Sequence, residues 1–295
     1  MIGAQKAATT TLWQGIDSHP EIATPSDKER GFFNSDGRYA RGLEAFLAAA
    51  FPGPGPGQLL GTVTPDYMPA GDDQLDTIVE RMHATVPQVR LVAILRDPVE
   101  RAVSHYRTGL RTGNATLPTF DAHYAEVCRQ RGVRFPPLVR RGEYGRILSR
   151  YLDRFPADQL LVLWTDDLEH APDAVFARVF AFLGVDAAHT PARERLNVGG
   201  TRRRVSAQAL AELEAHFDQE LWPLVSPERR EDLRRGTRWW LEHLWNTVPD
   251  DEATEVGPAL RRMLVEHFTE DGRRLRERLG VEPPWLAGYE AELAA

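Results

Sequence analysis

Two runs of apolar residues without polar alternation restrict the fold of this 295-residue chain more than any other feature. Residues 90–95 read Arg-Leu-Val-Ala-Ile-Leu, and residues 160–164 read Leu-Leu-Val-Leu-Trp. Each run has the length of a strand, and a helical pattern follows each one, at 99–112 and at 173–183. Strands of this kind, separated by helices, are typical of a parallel sheet covered on both faces. The sequence therefore predicts an α/β fold with a central parallel sheet flanked by helices.

The rest of the chain extends this pattern in both directions. The further predicted elements are strands at 1–3 and 59–64 and helices at 9–18, 38–51 and 72–86. The Pro-Gly repeat at 52–57 predicts a surface loop, because neither a helix nor a central strand accommodates it. From about residue 206 the apolar spacing is helical only. We expect one domain over 1–295, with an α/β core over about 1–200 and a helical C-terminal extension over about 201–295.

Composition excludes several classes of protein. No stretch approaches the roughly 18 uncharged apolar residues of a membrane span, and the first residues lack the basic-then-apolar run of a signal peptide. The single cysteine, Cys128, excludes an internal disulfide and a Cys-rich zinc site and fits a reducing cytosol. A net charge of −7 argues against a nucleic acid bound over a broad basic face. These features predict a cytoplasmic protein without a membrane span, a nucleic-acid partner or a metal.

The segment Gly3-Ala4-Gln5-Lys6-Ala7-Ala8-Thr9-Thr10-Thr11-Leu12 has the composition of an anion-binding loop. Small residues let the backbone approach a ligand, and a helix start leaves N–H groups unpaired. Lys6 adds a charge and the threonines add hydroxyl donors, which favours a phosphate-like group. The alternative is that Thr9 only caps the helix and Lys6 is solvated. The order differs from G-x-x-x-x-G-K-[ST], which disfavours a nucleoside triphosphate with Mg²⁺.

Lysine is rare in this chain. Of 36 basic residues only Lys6 and Lys28 are lysine, and both lie within the first 28 residues. The ammonium ion is compact and the guanidinium is a wide fork, so a lysine among arginines indicates a position where the fork does not fit. Codon usage in a GC-rich genome is the alternative explanation.

A second candidate phosphate site follows the apolar run that ends at residue 95. A guanidinium at the carboxyl end of a strand, as at Arg96, can bind phosphate bidentately. Pro98 begins a helix, and Ser104 lies two turns along it. Ligands of open α/β sheets bind beyond the carboxyl ends of the strands. The alternative is a local ion pair between Arg96 and Asp97, with Glu100 and Arg101 solvated.

Three segments, in this order, resemble the family of sulfotransferases that use 3′-phosphoadenosine 5′-phosphosulfate (PAPS), in its bacterial and heparan-sulfate-sulfotransferase-like branch. The first is similar to the 5′-phosphosulfate loop, the second to a Lys-Glu-x-x-Phe-Phe segment and the third to the 3′-phosphate loop. They are Gln5-Lys6-x-x-Thr9-Thr10-x-Leu12, Lys28-Glu29-Arg30-Gly31-Phe32-Phe33 and Leu95-Arg96-Asp97-Pro98-Val99-Glu100-Arg101-Ala102-Val103-Ser104-His105-Tyr106. The resemblance implies a P-loop-like fold, PAPS as the cofactor and the adenosine bisphosphate PAP as the product.

The resemblance also implies roles for individual residues. Lys6 would stabilise charge on the bridging oxygen of the leaving phosphate, and Glu29 would act as the base. Arg96 and Ser104 would hold the 3′-phosphate. The segment 197–204 resembles a late loop that closes over the nucleotide, without fixing which of its arginines makes contact. The expected cofactor-binding residues are Lys6, Ala7, Ala8, Thr9, Thr10, Thr11, Arg96, Ser104, Thr201, Arg202 and Arg203.

Two positions depart from the family pattern. Ala8 stands where the loop usually has glycine, which is tolerable at a negative φ and damaging at a positive one. Val63, in Thr62-Val63-Thr64-Pro65-Asp66-Tyr67, stands where heparan-sulfate-type enzymes place a second catalytic lysine. Either Lys6 suffices, or Asp66 or another residue contributes.

The expected function is transfer of a sulfuryl group from PAPS to an acceptor hydroxyl of a sugar, a lipid or a small metabolite. The net negative charge favours a neutral acceptor over a polyanion. A nucleotide-binding module with little catalysis is the alternative that Ala8 and Val63 favour. A nucleotide kinase is a third reading, which the missing Walker pattern opposes.

Overall fold

The computed structural model describes residues 1–26, 28–112, 114–191 and 255–295. The described residues form two compact units. The first contains Met1–Ala102, 133–191 and Pro258–Ala295, and the second contains 103–132 and 255–257. Thr201, Arg202 and Arg203, and the helical pattern predicted for 206–254, lie outside the described residues. The single domain expected from the sequence stays a prediction.

The helices and strands are numbered here through the described residues. The helices are α1 (Thr9–Asp17), α2 (Asp36–Ala40), α3 (Leu43–Ala50), α4 (Asp72–Thr85), α5 (Pro98–Thr112), α6 (Phe120–Arg131), α7 (Pro137–Arg140), α8 (Tyr144–Leu152), α9 (Thr165–His170), α10 (Pro172–Leu183), α11 (Pro258–Leu279) and α12 (Leu286–Ala294). The strands are β1 (Ile22–Ala23), β2 (Leu59–Leu60), β3 (Leu91–Leu95) and β4 (Leu160–Trp164), and short 3₁₀ turns cover Pro65–Tyr67 and Ala157–Gln159.

Strand β3 is the centre of the first unit. All of its residues are buried, and it pairs in parallel with β4, from Leu91 opposite Leu160 to Leu95 opposite Trp164. Residues 2–4 also run parallel to β3, because the N–H of Ile2 donates to the carbonyl of Val92 at 2.9 Å and that of Ala4 to the carbonyl of Ile94 at 2.7 Å. The buried parallel strands predicted from the apolar runs are confirmed.

The predicted strand at 59–64 is shorter in the structure. Only Leu59–Leu60 is a strand, and it pairs in parallel with β1 in a separate two-stranded sheet. Leu59 and Leu60 are both exposed, whereas Ile22 of β1 is buried. Further along, the N–H of Thr64 donates to the carbonyl of Met1 at 3.0 Å. The expected single central sheet is therefore replaced, in the described residues, by two small parallel sheets within a mixed helix and sheet fold.

The helix predicted at 38–51 is two helices. Helix α2 ends at Ala40 and α3 begins at Leu43, and Gly42 between them has a φ of 86°. That left-handed conformation interrupts a helix and is accessible to glycine without strain. The break separates α2 from the apolar helix α3.

The core of the first unit lies between β3, α1 and α10. It is an apolar cluster formed by Leu12, Ile16, Ile22, Val92, Ile94, Leu163, Leu168, Val175, Phe176, Val179 and Phe180. Helices α8 and α11 form a second contact. A Cβ atom at Gly145 would lie 2.2 Å from the carbonyl oxygen of Asp271, so glycine allows this close approach. Among the described residues, no helix is both long and apolar enough to span a bilayer.

Candidate functional site

The two predicted anion-binding segments leave the sheet at the same edge. Residues 2–4 and β3 are parallel and hydrogen-bonded, so the loop that begins at Gln5 and the segment that begins at Arg96 both follow the carboxyl ends of neighbouring strands. This edge is where open α/β sheets bind their ligands.

Helix α1 begins without a side-chain N-cap. Its N-cap residue is Ala8, whose side chain cannot accept hydrogen bonds from the first-turn N–H groups. Ala8 has a φ of 58°, which is a left-handed backbone conformation. Glycine, which is usual at this position in the family, adopts this conformation without strain, whereas the methyl group of alanine makes it unfavourable. Ala7 is fully buried, and its N–H donates to the carbonyl of Ala4 at 3.3 Å.

The side chain of Lys28 contacts Thr9 and Thr10, at the start of α1. Its Nζ donates to Thr10 Oγ1 at 2.7 Å and to Thr9 Oγ1 at 3.4 Å, and it lies 3.2 Å from Glu29 Oε1. The side chain is 16% exposed. The rarity of lysine in the chain singles out Lys28, but the binding and catalytic residues expected from the sequence do not include it. The structure thus brings an ammonium ion, two hydroxyls and a carboxylate together.

A backbone hydrogen bond fixes the position of Glu29. Its N–H donates to the carbonyl of Val63 at 2.9 Å, and its φ of 73° is left-handed. The carboxylate is 50% exposed and pairs with Lys28. Val63 itself is buried, with 5% exposed. The base candidate therefore faces solvent beside Lys28, and the position of the family's second lysine is filled by an apolar side chain.

Asp66 links Gln5, in the loop before α1, to Arg141, which is not among the candidate residues predicted from the sequence. Asp66 Oδ1 accepts hydrogen bonds from Gln5 Nε2 at 3.2 Å and from Arg141 Nη1 at 2.8 Å. The Asp66–Arg141 pair joins residues that are distant in the sequence, so no local pattern could reveal it. Asp66 thus holds the side chain of Gln5, the residue that precedes Lys6 in the chain.

Arg96 pairs with Glu100 rather than with Asp97. Its Nε and Nη2 donate to Glu100 Oε2 at 3.1 and 2.8 Å, on a side chain that is 33% exposed. Asp97 Oδ1 instead accepts from the N–H groups of Val99 and Glu100, at 2.9 and 3.0 Å, and from the Tyr289 hydroxyl at 2.7 Å. Burial raises the pKa of Asp97. The Arg96–Asp97 ion pair considered from the sequence is wrong.

Arg101 concentrates positive charge behind Arg96. It is fully buried; its Nη2 donates to the carbonyl of Leu138, and its Nε and Nη1 have no partner in the described part of the chain. Its pKa is lowered to about 10, mainly by burial and in part by repulsion from Arg141 and Arg96, against an opposing effect of Tyr144. The solvated Arg101 considered from the sequence is therefore wrong. The guanidinium groups of Arg96 and Arg141 are thus close enough to repel that of Arg101.

The remaining predicted residues lie on α5 and α1. Ser104 is on the part of α5 that belongs to the second unit, where its carbonyl accepts from the Thr108 hydroxyl at 3.0 Å. Thr11 lies on the first turn of α1.

Comparison with known proteins shows the family to which the chain belongs. The model of the sulfotransferase domain family matches residues 1–198, and the chain belongs to this family. The human bifunctional heparan sulfate N-deacetylase/N-sulfotransferase 3 is 31% identical over 201 residues, which is 63% of this chain and 22% of that protein. The human heparan sulfate glucosamine 3-O-sulfotransferase 6 is 28% identical over 191 residues, 63% of this chain and 51% of the relative.

A solved structure shares the fold. A sulfotransferase from Alicyclobacillus acidocaldarius superposes with a TM-score of 0.65 over 98% of this chain and 97% of its own, at 21% sequence identity. The chain spans about half or less of the length of the curated relatives named above. The family resemblance stated from the sequence is confirmed.

Proposed function

We propose that the chain transfers a sulfuryl group from PAPS to an acceptor hydroxyl. The observation that carries this proposal is the common sheet edge from which the Gln5–Ala8 loop and Arg96 both leave, with Lys28 and Glu29 beside the start of α1. Two anion-binding segments on neighbouring strands suit a nucleotide that carries an anionic group at each end.

The residues present fit PAPS. The first-turn N–H groups of α1, the hydroxyls of Thr9 and Thr10 and the ammonium ion of Lys28 would hold the 5′-phosphosulfate. Arg96 would hold the 3′-phosphate, in the positive field that Arg101 and Arg141 strengthen. The contribution of Ser104, Thr201, Arg202 and Arg203 rests on the family resemblance. When bound, PAPS would supply the sulfuryl group and a phosphate leaving group.

Three side chains would carry the chemistry. Lys6 and Lys28 would stabilise the oxygens that gain negative charge as the sulfur–oxygen bond breaks. Glu29 would accept the proton of the acceptor hydroxyl. Since Val63 replaces a lysine, Lys28 would supply the second ammonium ion of the site.

The acceptor is a sugar, a lipid or a small metabolite. The heparan sulfate enzymes among the relatives support a glycan, but the chain matches only part of their length. A nucleotide-binding module with little catalysis is the second candidate, which the left-handed Ala8 favours because it strains the loop. The cytosolic location stays a prediction from the single Cys128.

An acceptor screen with labelled PAPS tests the proposal. We expect label in a product with the wild-type protein and, for Lys6→Ala, a turnover lower by about 10²–10³ because one charge-stabilising donor is lost. Arg178→Ala, which removes a half-exposed cation from α10, is the matched control and keeps full turnover. PAPS binding without transfer to any acceptor would support the module instead, and full activity of Lys6→Ala would remove Lys6 from the mechanism.

A further inference from the structure

A cleft of about 480 Å³ opens beside Glu29 and Lys28. One wall is the segment Lys28–Arg30, and the others come from α2, the turn after it, and α3. This volume is typical of sites for small ligands. Because the cleft is lined by the base candidate itself, a molecule in it would be positioned to present a hydroxyl to Glu29.

The lining of this cleft is basic. Besides Lys28 and Glu29 it contains Arg30, Arg38 and Arg41. Arg38 and Arg41 form no ion pair with any described residue: Arg38 Nε donates to the carbonyl of Gly31, and Arg41 Nε to that of Gly37 at 3.2 Å. The terminal guanidinium nitrogens of Arg38 and Arg41 are therefore available to an anion. This local excess of positive charge contrasts with the net charge of −7 of the whole chain.

The remaining lining is apolar. It consists of Ala45, Phe46 and Ala49 on α3. Phe46 is buried and packs against Phe32 with 4.9 Å between ring centroids, so this wall is fixed by the core. The exposed methyl groups of Ala45 and Ala49, above the buried ring of Phe46 and beside guanidinium groups, match a ligand with a hydrophobic body and an anionic end.

We infer that the cleft binds the acceptor, and that this acceptor is a hydroxylated molecule with an apolar body and one anionic group. The anionic group faces Arg38 and Arg41, the apolar body lies on α3, and the hydroxyl faces Glu29. The inference rests on the proposed function for the identity of the occupant as acceptor. It departs from the neutral acceptor that net charge favours, because a ligand responds to the charges that line its site rather than to the sum over the chain.

A matched pair of probes tests this inference. 4-Hydroxyphenylacetate and its methyl ester share the ring and the hydroxyl and differ in charge. We expect calorimetry to show the acid binding at least about 10-fold more tightly than the ester, as one charge-assisted pair is worth. Arg41→Gln should lower the affinity for the acid by about 10-fold and leave the ester unchanged. Arg41→Lys should keep most of the affinity, and Arg178→Gln, a cation outside the cleft, should keep all of it.

The possible outcomes separate the two proposals. Equal binding of acid and ester, no binding of either, or an unchanged affinity in Arg41→Gln would overturn the inference. A uronic-acid oligosaccharide that binds more tightly than 4-hydroxyphenylacetate would overturn the apolar body. If the acid is preferred through Arg41 but no sulfuryl transfer occurs with labelled PAPS, the proposed function fails while the charge selectivity of the cleft stands.

Discussion

At the scale of single residues, the candidate site contains non-glycine residues in the left-handed backbone conformation, which residues with a Cβ atom rarely adopt. Lys6, Ala8 and Glu29 are the non-glycine residues with a positive φ in the described ranges. Each belongs to a segment proposed to bind the donor or to react. Such a conformation costs about 1–2 kcal/mol per residue, and it persists where surrounding contacts fix it. For Glu29 one such contact is the hydrogen bond from its N–H to Val63.

Ala8→Gly should stabilise the protein. Glycine adopts the φ of 58° without a Cβ penalty, so we expect the free energy of unfolding to rise by about 1 kcal/mol. Urea denaturation measures this change. The matched control is Ala7→Gly, at a buried neighbour outside the positive-φ region, which should lower stability. A loss of stability in Ala8→Gly equal to that in Ala7→Gly would show that the left-handed conformation carries no strain.

The residue scale also shows what a sequence can and cannot reveal about a site. The loop at Lys6 and the guanidinium at Arg96 are recognisable because their ligand-binding groups are consecutive in the chain and follow strands. Ala8 stands where the family usually has glycine, and a glycine at such a position indicates a positive φ. The structure has that positive φ at Ala8. The contacts of Lys28 and Arg141 could not be predicted, because their partners Thr10 and Asp66 are 18 and 75 positions away, although the rarity of lysine marks Lys28.

At the scale of elements, the carboxylate of Asp271 joins α11 to α8. Its Oδ2 accepts from the N–H of Gly145 at 2.7 Å and its Oδ1 from that of Arg146 at 2.8 Å, so a side chain of α11 caps the first turn of α8. Gly145 lets the two backbones approach closely. Periodicity predicted the apolar face of α11, of which Leu264, Phe268 and Leu275 are buried. It could not predict the cap, since a polar residue on a helix gives no sign of a partner in another helix.

Asp271 should make stability depend on pH. Burial raises its pKa from 3.8 to about 6, so the folded state favours the protonated carboxyl more than the unfolded state does. Its stabilising contribution is complete below the unfolded pKa and is lost as the pH rises from about 4 to about 6, a loss of about 3 kcal/mol. We expect Asp271→Asn to remove this slope from the free energy of unfolding measured by urea denaturation at several pH values.

The control for this experiment is Asp158→Asn, at an exposed position, which should keep the wild-type slope. The same fall of stability between pH 4 and pH 6 in Asp271→Asn and wild type would contradict the assignment.

At the scale of the whole molecule, the strands that carry the site were predictable and the second sheet was predictable only in part. The residues of β3 are all buried and those of β4 are buried or half-buried, and burial on both faces of a strand leaves a continuous apolar pattern. The strand predicted at 59–64 contains Leu59–Leu60, but the observed strand pairs over only two exposed residues, so its end could not be predicted. Its partner Ile22–Ala23 is too short for apolar spacing to reveal. Net charge likewise averages over the chain and conceals the basic cleft around Arg38 and Arg41.

The central claim is that the Lys6 loop and Arg96 hold opposite ends of one adenosine nucleotide. Calorimetric titration of 3′-phosphoadenosine 5′-phosphate against adenosine 5′-phosphate tests it most directly, on the wild-type protein and on Arg96→Gln. The account predicts that the bisphosphate binds about 10- to 100-fold more tightly and that Arg96→Gln removes most of this difference. Equal affinity for the two nucleotides in the wild type, or tighter binding of ATP with Mg²⁺, would contradict it.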